Sequence, residues 1–271
     1  MGELLVAAAK IAAVVAVGLP ILLYLAQDGM IFYRQPLPEA RRAEVARRFP
    51  AVQEIALQAA DGTRLHAWHV RATGRAPLVL YFGGNAEEVS WMIEEALARA
   101  PGMGWLLVDY RGYGASGGAP SEATLTSDAQ LWYDHAAQLP EVDATKIFAF
   151  GRSLGSGVAV QLAAKRPLAG VILVAPFDSL AAVAKRYYWY MPVDLLLKHR
   201  FDSLALAPGL RTPLLCLVAE RDEIIPPEHA ERLYAAWAGP KRWVPLAGAT
   251  HNDFDGAPPF WSSIGAFLAG R

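Results

Sequence analysis

The 271-residue chain has almost no cysteine and almost no excess of charge. Because Cys216 is its single cysteine, an intramolecular disulfide, a Cys-x-x-Cys redox centre and a cysteine-cage zinc site are excluded. Lys and Arg total 25 against 26 Asp and Glu, so the chain lacks the positive field that would hold nucleic acid. Only 19% of residues are charged and 54% are hydrophobic, which excludes a disordered chain.

One stretch near the start is nearly free of charge. Leu4–Ala26 has Lys10 as its only charged residue, and as a helix it would span about 35 Å against the roughly 30 Å of hydrocarbon in a bilayer. The stretch predicts a retained membrane anchor over residues 1–29. A buried soluble helix and a cleaved signal peptide are the alternatives. A signal peptide fits less well, because Glu3 precedes the stretch and Tyr24-Leu25-Ala26 is a poor cleavage site.

Residues 30–51 form a predicted juxtamembrane segment that is first apolar and then basic. Its apolar part consists of Met30, Ile31, Phe32 and Tyr33. Its basic part contains Arg34, Arg41, Arg42, Arg47 and Arg48. These arginines suit anionic headgroups, or they lie on a solvated helix face from Pro38 to Arg48. Because positive charge accumulates after the span, the remainder of the chain is predicted to be cytoplasmic.

From Val52 onward, short β-rich runs alternate with helical ones. The predicted strands are Gln53–Gln58, Arg64–Val70, Pro77–Phe82, Trp105–Asp109, Lys146–Gly151, Gly170–Ala175, Leu214–Ala219 and Arg242–Pro245. The predicted helices are Glu87–Ala100, Ser121–Gln138, Leu154–Lys165, Pro227–Trp237 and Pro259–Leu268. Near-continuous apolar strands are typical of sheets covered on both faces. The pattern predicts an α/β domain over residues 52–271, with a mostly parallel eight-stranded sheet that begins with an antiparallel hairpin.

One connection is longer than a plain crossover. Residues 177–211, called the insertion below, lie between two predicted strands and are rich in aromatic and aliphatic side chains. These side chains either pack on the domain or form a helical lid and a path for an apolar substrate. The candidate substrate-binding residues are Tyr187, Tyr188, Trp189, Met191 and Leu195.

The segment Gly151-Arg152-Ser153-Leu154-Gly155 carries the clearest chemical signal. It follows a predicted strand and begins a predicted helix, so Ser153 is expected on a tight turn with its hydroxyl exposed. Such a turn crowds the backbone, and the flanking glycines satisfy that requirement. The alternative is an ordinary tight turn between a strand and a helix.

A serine hydroxyl becomes a good nucleophile only when a base removes its proton. His251 follows one later strand and is the candidate base, while Asp222 follows another and is the candidate residue that orients it. Asp178 also follows a strand and is the alternative orienting acid. A metal site at His251, Asp253 and Asp255 is a weaker alternative, since no second cluster of ligands accompanies them.

Backbone N–H groups should stabilise the oxyanion that forms on the attacked carbonyl. One candidate is the N–H of Leu154, at the start of the predicted helix. The second should come from the glycine turn after the strand at 77–82. Asn85 is favoured there, with Gly84 or Ala86 as alternatives, and a simple glycine turn without this role also fits.

Together these blocks resemble the α/β-hydrolase superfamily, and within it the membrane-anchored, Bem46-like serine hydrolases. The resemblance is carried by Gly83-Gly84-Asn85-Ala86, the run from Asp109 to Ser116, Gly151–Gly155, Phe201-Asp202-Ser203, Asp222 and Thr250-His251-Asn252. The chain order Ser, Asp, His is also that of an α/β-hydrolase. One position departs from the pattern, because Gly83 stands where the family usually has His.

The resemblance implies a serine hydrolase that needs no cofactor or metal and acts on acyl esters or thioesters. The expected partners are a lipid bilayer, in bacteria the inner membrane, and a lipid-like ester such as a monoacylglycerol or lysophospholipid. An acyl-protein or acyl-CoA thioesterase is the alternative enzyme. A non-catalytic membrane scaffold that kept the fold is the alternative from another class.

Overall fold

A computed structural model describes residues 1–270, without the side chains of residues 8, 9, 12 and 13; residue 271 of the predicted domain lies outside the described residues. An eight-stranded sheet in the order β1-β2-β4-β3-β5-β6-β7-β8 forms its centre. The strands are β1 (Gln53–Gln58), β2 (Arg64–Val70), β3 (Ala76–Phe82), β4 (Gly104–Asp109), β5 (Val142–Arg152), β6 (Gly170–Val174), β7 (Leu214–Ala219) and β8 (Lys241–Leu246). Strand β2 is antiparallel to β1 and β4, and the other neighbours are parallel, which confirms the predicted sheet.

Helices cover both faces of the sheet. The helices are α1 (Gly2–Ile31), α2 (Glu39–Arg48), α3 (Met92–Arg99), α4 (Glu122–Ala136), α5 (Leu154–Ala163), α6 (Leu180–Tyr187), α7 (Val193–Leu196), α8 (Ser203–Leu206), α9 (Pro227–Ala236) and α10 (Pro259–Ala269). Alternate residues of β3 point to opposite faces: Leu78 and Leu80 pack in the cluster with α4, α5 and α9, whereas Val79 and Tyr81 pack in the cluster with α3 and α10. Period-two alternation within fully apolar strands thus builds two cores.

Helix α3 starts later than the sequence predicts. A short 3₁₀ turn over Val89–Trp91 precedes it, and the Glu88 side chain caps that turn by accepting from Ser90 N. Glu87 is buried and takes no part in a helix end. The predicted start at Glu87 is therefore wrong, because that carboxylate is used elsewhere in the fold.

Helix α1 is about 45 Å long at ~1.5 Å per residue. Within the described residues, Val14–Ile31 is the one segment long and apolar enough to cross a membrane, with a mean hydropathy of 1.8. Only 6% of that window is buried, so α1 is not the core helix of a soluble fold. Its last turn does touch the domain: Gln27 is buried, and so is Phe32 directly after the helix.

The predicted basic part of the juxtamembrane segment is largely paired within the chain. Arg42 forms an ion pair with Glu54, and Arg48 lies 3.1–3.2 Å from Glu94 and Glu44. Arg41 donates to the Ser90 hydroxyl. These contacts dock α2 on the domain, and Val45 of the same helix is fully buried. The helix is therefore a packed element with a partly neutralised outer face.

Candidate active site

Ser153 lies at the tight turn between β5 and α5. Its φ of 49° and ψ of −116° place it in a strained conformation that L-residues rarely adopt. A Cβ on Gly151 would lie 2.2 Å from the Gly155 carbonyl oxygen, and one on Gly155 would lie 2.0 Å from that of Phe82. Glycine is therefore obligatory at both positions, because the chain passes too close for any side chain.

The three residues singled out from the sequence meet at the carboxyl edge of the sheet. His251 Nε2 lies 3.1 Å from Ser153 Oγ, and His251 Nδ1 lies 2.7 Å from Asp222 Oδ2. All three side chains are buried. The carboxylate contact favours the imidazole tautomer with its proton on Nδ1, which leaves Nε2 free to accept the serine proton.

Asp222 is held by the loop that follows β7. Its second oxygen, Oδ1, accepts from the backbone N–H groups of Ile224 and Ile225 at 3.0 and 2.7 Å. These two bonds fix the carboxylate, so that Oδ2 faces the imidazole. The carboxylate thus has hydrogen-bond donors on both of its oxygens, as a buried charge requires.

The alternative acid, Asp178, lies elsewhere. Its oxygens lie 2.7 Å from His229 Nδ1 and 2.6 Å from Arg232 Nε, and it also accepts from Ser179 N. Burial, the largest single influence, raises the pKa of Asp178, but the hydrogen bonds from His229 and Arg232 outweigh it and hold the pKa below its usual value. Asp178 therefore anchors α9 and does not contact His251.

The metal alternative has no support in the geometry. Asp253 accepts from the backbone N–H of Thr250, while the His251 imidazole is occupied by Asp222 and Ser153. Among residues 1–270, no three His, Cys, Asp or Glu side chains are arranged to hold a metal ion.

The structure separates the candidate oxyanion donors. Gly84 N already donates to Glu87 Oε2 at 2.6 Å, which removes it as a candidate. Ala86 N points to the side chain of Asn85, 3.0 Å from Oδ1. Asn85 and Leu154 both line the cavity that contains Ser153. As the first residue of α5, Leu154 carries an N–H without a helical acceptor.

Glu87 organises this loop and was not recognised from the sequence. Besides the Gly84 N–H, its carboxylate accepts from Tyr81 Oη at 2.6 Å and Trp91 Nε1 at 2.8 Å. Arg152 Nη1 lies 3.0 Å away and compensates the buried charge. Burial, aided by the negative charge of Glu87, raises the pKa of Tyr81 well above its usual value, so this phenol remains a donor. The signal in the sequence was weak, since a glutamate after a glycine turn is also typical of a helix start.

The family departure at Gly83 now has a physical explanation. A Cβ at this position would lie 2.9 Å from Val89 Cγ1 and 3.0 Å from Glu87 Cδ. The Glu87 carboxylate therefore fills the space beside Gly83, and a histidine there would displace it.

Arg152 connects two loops on either side of the serine. Its Nη1 contacts Glu87 on the oxyanion side, and its Nη2 donates to Asn252 Oδ1 at 3.1 Å on the histidine side. Its guanidinium also lies over the Phe254 ring, 4.8 Å from the centroid. The variable position of the Gly-x-Ser-x-Gly motif thus connects the loops that carry Asn85 and His251.

A largely apolar cavity of about 320 Å³ opens beside Ser153. Of the predicted substrate-binding residues, Tyr187, Tyr188 and Met191 line it. Trp189 and Leu195 do not; their side chains are 81% and 84% exposed on the outer surface of the insertion. Residues of α1 that the sequence did not indicate complete the wall: Leu23, Tyr24, Gln27, Met30 and Ile31.

Comparisons with known proteins match this architecture. A family model described as "Serine aminopeptidase, S33" matches residues 75–192. The chain is 37% identical to Rv2307c of Mycobacterium tuberculosis, over 90% of this chain and 86% of the relative. It is 31% identical to the yeast membrane protein YNL320W of Saccharomyces cerevisiae, over 80% of this chain and 79% of the relative.

Two further comparisons concern the family and the fold. The protein bem46 of Schizosaccharomyces pombe is 30% identical over 71% of this chain and 67% of its own length. The solved structure of an acetyl xylan esterase from Paenibacillus sp. R4 superposes with a TM-score of 0.68 at 20% identity, covering 82% of this chain and 85% of that one, which shows the shared fold. With these identities and coverages, the chain belongs to the Bem46-like family of α/β-hydrolases.

Proposed function

We propose that this protein is a membrane-anchored serine hydrolase that cleaves carboxylic esters of lipid-like acyl substrates. The hydrogen-bonded series from Ser153 through His251 to Asp222, placed at the end of an apolar cavity, carries the proposal. Membership of the α/β-hydrolase family supports the reaction class, and the yeast relative described as a membrane protein supports the location.

The geometry suits a two-step acyl transfer. His251 Nε2 takes the proton of Ser153 as Oγ attacks the ester carbonyl, and the N–H groups of Leu154 and Asn85 stabilise the oxyanion. The imidazolium then gives its proton to the leaving alcohol, which leaves the acyl group on the serine. Water, activated by the same imidazole, releases the acid and restores the hydroxyl. Asp222 holds the tautomer and stabilises the transient positive charge.

The surroundings of the serine support the proposed substrate class. The cavity walls consist mainly of aliphatic and aromatic side chains from α1 and the insertion. A helix of membrane-spanning length begins the chain, so lipids are the apolar esters within reach. In the proposed orientation the domain lies on the cytoplasmic side of a bacterial inner membrane, with Arg34 and Arg47 facing headgroups.

Labelling with a fluorophosphonate probe tests the reaction. Wild type should label and hydrolyse p-nitrophenyl acyl esters, while Ser153→Ala should lose labelling and about 10⁴-fold or more in kcat. Ser127→Ala, an exposed serine on α4, is the matched control and should retain both. A folded wild type that neither labels nor turns over any ester would overturn the proposal and favour a scaffold.

A panel of substrates then refines the class. It should contain acyl esters, an acyl-CoA thioester and an aminoacyl anilide, the last because of the description of the matched family model. The proposal expects the highest kcat/KM on the esters. A higher kcat/KM on the thioester or the anilide would replace the ester assignment while keeping Ser153 as nucleophile.

A further inference from the structure

The C-terminal turns of α1 share a cavity with the proposed nucleophile. Leu23, Tyr24, Gln27, Met30 and Ile31 line the space into which Ser153 opens. A helix that only tethered the domain to a membrane would not need to line the cavity that contains Ser153. We infer that this end of the anchor helix is a wall of the acyl-binding site and determines the acyl-chain length that the enzyme accepts. The inference rests on the proposed esterase function.

Polar contacts fix this wall against the insertion. Gln27 is 7% exposed, donates through Nε2 to the Leu196 carbonyl at 3.0 Å and accepts from Lys198 N at 2.8 Å. Asp28 lies 3.0 Å from His199 Nε2, and the Lys198 ammonium lies over the Tyr24 ring at 4.6 Å. A bidentate amide in a buried site has one good position, so α1 is docked in a defined register.

The same end of α1 is connected to the loop after β3 that carries Asn85. Tyr33, two residues after the helix, donates its N–H to Asn85 Oδ1 at 2.8 Å, and Tyr113 Oη donates to the same oxygen at 2.8 Å. Phe32 is buried with its ring against His199. The reacting carbonyl, held near Asn85, therefore lies at the Ile31 end of the wall.

The wall consequently has a direction. From Ile31 back to Leu23 the helix extends about 12 Å, and at Leu23 it lies within the apolar run Leu4–Ala26. An acyl tail that starts at Ser153 and follows α1 would point into the bilayer, as it does in a lipid. The exposed Trp189 and Leu195 of the insertion are 81% and 84% accessible and suit the interfacial region of a membrane. Their exposure, unexplained by the cavity, fits the same orientation.

Bulk introduced at the far end of the wall tests the inference. In full-length, detergent-solubilised protein, Leu23→Trp should lower kcat/KM for a dodecanoyl p-nitrophenyl ester by about tenfold or more, because the tail has lost its space. The readout is the ratio of kcat/KM for the dodecanoyl ester to kcat/KM for the acetyl ester, because a short acyl group ends before it reaches the added indole. A melting temperature close to that of wild type shows that the variant is folded.

Leu22→Trp is the matched control. Leu22 neighbours Leu23 on α1 but is 61% exposed and lies outside the cavity, so the same bulk there should leave the chain-length profile unchanged. If the two variants give the same profile as wild type, or lose long-chain activity equally, α1 does not form the wall. If the wild-type protein is not labelled by the fluorophosphonate, the proposed function is wrong, and this inference is wrong with it.

Discussion

Residues 1–270 contain three buried His–Asp pairs with the same nitrogen–oxygen distance. Each pair has a distance of 2.7 Å between an imidazole nitrogen and a carboxylate oxygen: His251–Asp222, His66–Asp109 and His229–Asp178. The pairs differ in what else surrounds the imidazole. Of the three, the His251 ring presents its second nitrogen to a hydroxyl, that of Ser153, inside a cavity. A buried His–Asp pair is therefore not a catalytic signature by itself.

The pair at His66 shows what a structural version needs. Its second nitrogen lies 3.1 Å from the Glu54 carboxylate, so both ring nitrogens already have carboxylate partners and neither faces a hydroxyl that it could deprotonate. A serine is also close, but Ser116 donates its hydroxyl to the Asp109 carbonyl and accepts from His66 N. His66 and Asp109 are register partners on β2 and β4, and the pair fastens those antiparallel strands together.

The largest expected effect separates the orienting carboxylates. Asp222→Asn should lower kcat by about 10⁴-fold. The amide favours the wrong tautomer of His251, and it cannot stabilise the positive charge of the imidazolium. Asp178→Asn should change kcat by less than about threefold per active site, since it contacts His229 and Arg232 instead. Ester turnover normalised to fluorophosphonate-titrated sites provides the comparison. An equal rate loss in both variants would contradict the assignment.

A second experiment removes the structural pair. His66→Leu leaves Asp109 and Glu54 without their shared partner, and breaking such a buried pair costs about 3–5 kcal/mol. For a domain of this size, about 2–4 °C of Tm is lost per kcal/mol, so Tm should fall by roughly 10 °C. The turnover of titrated sites should not change. A normal Tm with lowered turnover would show that this pair, too, serves the reaction.

The sequence was sufficient to predict the sheet and the edge of it at which Ser153, Asp222 and His251 meet. Ser153, Asp222 and His251 each follow a strand, and the carboxyl ends of parallel strands share one edge. The choice between Asp222 and Asp178 depended on the three-dimensional structure, because the two residues follow neighbouring strands, β7 and β6. Which carboxylate reaches the imidazole depends on loop paths and on Arg232 of α9, which holds Asp178 away.

Most residues of the cavity wall could not be predicted from the sequence, for two physical reasons. The helices of the insertion are short, and α7 has only four residues, so no helical periodicity in the sequence indicates which aromatic side chains face the cavity. Trp189 and Leu195 were predicted to bind substrate, but they lie on the outer surface. Helix α1 is apolar around its whole circumference over residues 14–26, so an exposed residue such as Leu22 and a cavity-lining residue such as Leu23 look alike in the sequence. Periodicity identifies a buried face only where the opposite face is polar.

A buried histidine without a carboxylate extends the comparison to pH. His69 is 1% exposed, its Nε2 has no hydrogen-bond partner in residues 1–270, and burial lowers its pKa from 6.5 to about 4 despite the opposing charge of Glu141. Between these values the unfolded chain binds more protons than the folded one. The contribution of His69 is therefore complete above pH 6.5 and is lost as pH falls towards 4, in total about 3 kcal/mol.

The variant His69→Gln isolates that contribution, since every other titrating group is retained. The difference in unfolding free energy between the two proteins should be constant above pH 7 and should shift by about 2 kcal/mol in favour of the variant by pH 5. Urea unfolding at both pH values measures it. Parallel pH profiles would mean that His69 titrates normally in the folded protein.

The smallest expected effect concerns the placement of the reactive pair. Arg152 connects the Glu87 loop to Asn252 beside His251, so Arg152→Met should leave the His251–Asp222 contact intact but loosen its position relative to Ser153. Losing one positioning contact should lower kcat about tenfold, with KM within about twofold, because the ground-state pocket is unchanged. Arg152→Lys should restore part of the rate by restoring the charge near Glu87.

The matched control is Arg166→Met, which removes an arginine paired with Asp134 on the surface and should change kcat by less than twofold. If Arg152→Met lowers Tm but not kcat, the guanidinium merely neutralises Glu87, and the alignment of His251 on Ser153 comes from the loop after β8 alone.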